Sequence, residues 1–177
     1  MIASRNPQLA RADAATESGL RAIASNPRAW TLTVTSQVAA IFMTVAGLGV
    51  LAKAVPADAR TGPKVSAVLF TLGAALMLLY LGFHLFITPR PPSDYEAQRR
   101  RYARLYRIYM VAAYVAFGVL GLWFVRHHVI ASWTGWFLLA TGIVGLVTAI
   151  VRRPAAADLP LWIHVIAFVL GFVLLSR

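Results

Sequence analysis

Five uninterrupted apolar runs constrain this chain more than anything else in it. They extend from Trp30 to Ala52, Val65 to Thr88, Ile108 to Val125, Ile130 to Val151 and Leu161 to Leu175. An α-helix needs about 20 apolar residues to cross a hydrocarbon layer of about 30 Å. Inside that layer each backbone polar group must be bonded within the protein, so a long apolar run becomes a helix. A barrel strand would instead alternate over about ten residues. The chain is 59% hydrophobic and only 13% charged, against about 25% charged in a soluble domain. The expected fold is all-α, a polytopic membrane bundle of five transmembrane helices over residues 30–177, preceded by a polar segment over residues 1–29.

Short connections carrying Pro and charge separate the runs, such as Lys53-Ala54-Val55-Pro56 and Arg152-Arg153-Pro154, and read as turns at the membrane surface. Lys and Arg total 17 against 6 Asp and Glu, a net charge of +11 that in a soluble protein would raise nucleic acid as a partner. Here the charges flank apolar runs, so anionic lipid is expected instead. With the N-terminus in the cytoplasm, four basic residues of the tail, six around Arg99 and two at Arg152/Arg153 lie inside. Lys53, Arg60, Lys64, Arg126 and Arg177 lie outside. That asymmetry favours N-terminus in and C-terminus out. Frequent Ala and Arg point to a GC-rich bacterial source, hence the inner membrane. No early apolar run precedes Trp30, so the first span is expected to act as its own targeting signal. The absence of Cys excludes disulfides, thiolate chemistry and Cys-built metal sites.

All five tryptophans, Trp30, Trp123, Trp133, Trp136 and Trp162, fall near span ends and read as an interfacial belt. Asn6-Pro7 and Asn26-Pro27 each suit an N-cap followed by a first helical position, and residues 8–24 suit an interfacial helix. After Pro89-Arg90-Pro91-Pro92, Ser93 and Glu96 have the spacing of a capping box. Nothing from there into the third span breaks a helix, which predicts a basic cytoplasmic extension over 93–107. It carries Arg99, Arg100, Arg101, Arg104 and Arg107 interleaved with Tyr95, Tyr102, Tyr106 and Tyr109. Such interleaving also suits single-stranded nucleic acid, but beside a membrane it suits anionic headgroups or a protein partner.

Within the spans no Asp, Glu, Lys or Arg occupies a middle position, which speaks against an ion-coupled carrier and leaves a small homo-oligomeric channel open. Small residues recur at helical spacing: Ser36, Ala40 and Thr44; Ala67, Thr71 and Ala75; Thr141, Gly145 and Ala149. Such stripes let helices approach closely, within the chain, against a second copy or against other membrane subunits. Gln37 should find a partner in the bundle, because an unpaired amide in hydrocarbon is costly.

The histidines are the remaining candidates for chemistry. His84 and His164 fall at similar depth on the same side, and two imidazoles so placed could ligate a b-type haem axially. The segment Leu159-Pro160-Leu161-Trp162-Ile163-His164-Val165-Ile166 resembles the His-bearing helices of small membrane haem and copper-resistance families over that one helix. His127-His128 sits near Trp123, Trp133 and Trp136, where a solvated turn, a quinone-headgroup site or a surface metal site are all open readings. Adjacent residues of a helix point about 100° apart, so the pair chelates poorly unless the helix has ended. The chain contains no HExxH, GxSxG, P-loop or dinucleotide motif, so the sequence gives no support to an enzyme. The expected function is that of a non-catalytic accessory subunit or assembly factor of a larger membrane complex, with a haem electron carrier as the alternative.

Overall fold

The computed structural model describes residues 21, 24–85, 92–129 and 132–151, with the side chains of 83–85, 92–101 and 132 outside the description. Among the described residues the structure is entirely helical: α1 (Pro27–Ala54), a 3-10 turn (Ala57–Ala59), α2 (Thr61–Leu85), α3 (Pro92–His127) and α4 (Ser132–Val151). Each contains a stretch long and apolar enough to span a membrane, namely Pro27–Ala54, Thr61–Gly82, Tyr102–His127 and Trp133–Val151. The fifth run, most of residues 1–29, Trp162 and His164 lie outside the described residues.

The helix boundaries follow local chemistry. Pro27 opens α1, and the Asn26 side chain accepts a hydrogen bond from the Ala29 N–H at 3.2 Å, satisfying one of the free donors of the first turn. Pro63 and Gly62 lie inside the first turn of α2, where a proline removes no intrahelical bond. That helix begins four residues before the apolar run it carries. Helix α3 begins at Pro92, so Ser93 lies within its first turn rather than at the cap, with proline at the first helical position. It then continues unbroken for 36 residues, about 54 Å at 1.5 Å per residue, well beyond the thickness of the hydrocarbon layer.

Short turns make sequential helices antiparallel neighbours: α1 packs on α2, α2 on α3, and α3 on α4. Helix α3 is the axis of this arrangement. Half of its apolar stretch is buried, against a third or less in the other three. Its buried side chains Tyr109, Phe117, Leu120 and Phe124 meet Phe70 and Leu81 of α2 and Leu138 of α4 in one core. Leu32, Phe42, Met43 and Val50 of α1 and Ile143, Val144, Val147 and Ile150 of α4 face outward. In water that surface would be untenable, whereas in lipid it is the expected exterior.

Candidate functional site

The end of the bundle at the α1–α2 turn is closed by polar clamps. Arg60 donates from Nε to the Val55 carbonyl at 2.8 Å and from Nη2 to the Lys53 carbonyl at 3.2 Å, satisfying acceptors at the end of α1. Trp123 of α3 donates from its indole N–H to the Ala59 carbonyl at 2.9 Å, tying the turn to the central helix. Its ring covers Gly62, where a Cβ would collide with the indole. Trp123 also stacks on His127, ring centroids 4.6 Å apart and 25° from parallel. Helix α3 ends there, and His128 takes a left-handed conformation at φ 50, the usual means of stopping a helix. The two histidines therefore do not share a helix, and His127 is engaged by Trp123. Trp133 and Trp136 are exposed as a belt requires, but Trp123 is a clamp.

One turn deeper, the fully buried Ser66 donates to the Ala116 carbonyl at 2.8 Å, a hydrogen bond that crosses from α2 to α3. Other span hydroxyls bond within their own helix: Thr33 donates to Ala29, Thr35 to Thr31, Ser36 to Thr33, Thr44 to Ala40, Thr71 to Ala67, Thr141 to Phe137 and Thr148 to Val144, at 2.7–2.9 Å. Such back-bonding satisfies the hydroxyl locally and removes its demand for an interhelical partner.

Helices α3 and α4 meet along glycine. A Cβ on Gly142 would stand 2.6 Å from Gly118 Cα and 2.9 Å from the Tyr114 carbonyl oxygen. One on Gly121 would stand 2.7 Å from the Gly135 carbonyl oxygen, and one on Gly145 would enter the Tyr114 ring. The obstacles at Gly121 and Gly142 are backbone atoms, so they cannot rotate aside. This is the close approach that small residues permit where apolar burial gives helices no mutual preference over lipid.

At the opposite end the contacts are aromatic. Tyr80 packs on Tyr106 at 5.3 Å between ring centroids, and nearer the middle of the bundle Phe70 meets Tyr109 edge-on at 6.0 Å. The Tyr109 and Thr134 hydroxyls are buried without a hydrogen-bond partner among the described residues. His84 lies on the last turn of α2, with its side chain outside the description. Of the interleaved residues, Arg104 and Arg107 are exposed, Tyr102 is half-buried and Tyr106 is buried, while Arg99, Arg100 and Arg101 contribute only their helical backbone to the description.

The small-residue stripes divide between two environments. In α1, Ser36 is exposed, Ala40 half-buried and Thr44 buried, so that stripe winds from the exterior into the core. In α2, Ala67 is half-buried and Thr71 and Ala75 are exposed, because the packed face lies one residue away at Ser66, Phe70, Gly73, Ala74 and Met77. In α4, Gly145 and Ala149 are buried and Thr141 is half-buried, with Gly142 carrying the closest approach. Gln37 is half-buried, and no described residue bonds its amide.

Sequence reasoning missed Ser66, Gly118, Gly121, Gly142 and the Trp123 clamp. A three-residue glycine spacing in the third span, Gly118 to Gly121, facing Gly135, Gly142 and Gly145 in the fourth, was the available signal. Among the described residues no cluster of His, Asp and Glu is arranged to hold a metal ion. Comparison with family models, curated proteins and solved structures finds no match to this chain.

Proposed function

We propose that this protein is a non-catalytic subunit or assembly factor of a larger bacterial inner-membrane complex, docked through the outward face of α1. The observation that carries this reading is an exposed glycine with no close neighbour among the described residues. Gly47 of α1 is exposed and has no described residue within 4 Å of where a Cβ would stand, unlike the glycines that join α3 to α4. Glycine in a helix costs about 1 kcal/mol relative to alanine. Next to Gly47 the same face carries Ser36, Ala39, Met43 and Ala46, all exposed, which is a surface suited to a close-packed partner helix. In this reading the N-terminus and the basic end of α3 are cytoplasmic, and residues 161–175 form a fifth span.

The test is gentle extraction from the native membrane, followed by mass spectrometry of what remains bound and an ultraviolet–visible spectrum. Partner chains in fixed stoichiometry and no chromophore support the subunit reading; a lone monomer contradicts it. A Soret band lost on changing His84 or His164 would transfer the assignment to the haem electron carrier.

A further inference from the structure

We infer that the face of α3 carrying Arg104 and Arg107 binds the phosphate of an anionic phospholipid. Both side chains are exposed, and neither makes an ion pair or hydrogen bond with a described residue. The acidic residues of the described chain are Asp58, at the opposite end of the bundle, and Asp94 and Glu96. Glu96 lies eight residues from Arg104, about 12 Å along the helix axis, beyond the screening length at physiological salt. Among the described residues the arginines thus form a cationic face with no carboxylate of its own.

Their height in the membrane follows from the rest of α3. Its two exposed apolar residues, Ile108 and Leu122, 51% and 56% exposed, are separated by half-buried and buried positions, and the exposed Arg126 follows one turn after Leu122. Arg107 and Arg126 are nineteen residues apart, about 28 Å of helix, which matches the hydrocarbon thickness. Arg107 therefore stands at one boundary of the layer, and Arg104 about one turn beyond it, at the level of lipid phosphate. Two guanidinium groups three residues apart share one helix side and present forked donors that match phosphate oxygens. Ile108 below them offers an apolar surface for an acyl chain. A headgroup and its chain fit this succession of cation and apolar side chain, whereas an acidic protein segment would use only its upper part.

The proposal is tested by native mass spectrometry of the full chain in detergent, titrated with phosphatidylglycerol and with phosphatidylcholine of identical acyl chains. The wild-type protein should retain phosphatidylglycerol in preference. The R104Q/R107Q variant should bind it roughly 25-fold more weakly, the contribution expected of two near-surface cations. K64Q, at the other end of the bundle, should leave binding unchanged. Equal retention of the two lipids by the wild-type protein would overturn the proposal whatever the variants do. So would a K64Q loss as large as that of R104Q/R107Q, or a variant that sheds a partner chain while holding its lipid.

Discussion

The glycines of the α3–α4 seam and the exposed glycine of α1 stand in opposite surroundings, one set crowded and the other open among the described residues. Between α3 and α4, Gly121, Gly135, Gly142 and Gly145 each lie against backbone or an aromatic ring, and no larger residue fits. On α1, the exposed Gly47 has no described residue within 4 Å of where a Cβ would stand. Lipid is as apolar as leucine, so helices in a membrane associate through close packing and hydrogen bonds. A glycine that achieves no close packing inside the chain leaves its helix less stable for no internal gain. The contrast separates the surface that holds the bundle together from the surface proposed to hold the protein to something else.

The largest effect should come from Gly142→Ala. The added methyl meets Gly118 backbone at 2.6 Å, the helices must separate, and the expected loss is about 3 kcal/mol or more. Thermal unfolding in detergent reads it, and an unchanged midpoint would show that the seam is not close-packed. Trp123→Phe should cost about 1 kcal/mol by releasing the Ala59 carbonyl, while the same change at the exposed Trp133 should cost much less. Equal effects would return Trp123 to the interfacial belt. Ser66→Ala should cost about 0.6 kcal/mol, the average for a hydrogen bond between membrane helices, and Thr71→Ala less, since its hydroxyl bonds only its own helix. A reversed order would mean that the α2–α3 packing face is displaced. Gly47→Ala should leave the isolated protein as stable as before, or up to about 1 kcal/mol more stable. A clear destabilisation would reveal an intramolecular neighbour and remove the basis for docking there.

The positions of the four described spans were legible because apolar length is a strong signal, and Asn26-Pro27 and Lys53–Pro56 marked the limits of α1 correctly. What periodicity could not reveal was which face of each helix packs. A membrane helix is apolar all round, so the buried side carries no compositional contrast. In α2 the Ala67, Thr71, Ala75 stripe lies one residue, about 100°, from the face that Ser66 and Phe70 define. The same limit applied to tryptophan: Trp123 and Trp133 sit at comparable positions near span ends, and only the Ala59 carbonyl distinguishes a clamp from a belt residue. Small residues signalled close packing but not its partner, since Gly47 and Gly142 look alike in the sequence.

The most direct test of the docking surface is photo-cross-linking in the native membrane, with a reactive side chain at Met43, beside Gly47 on α1, and in parallel at the exposed Leu122 of α3. The account predicts a discrete adduct of this chain with another protein from position 43 and only lipid adducts from position 122. Lipid or intramolecular adducts alone from position 43 would contradict it.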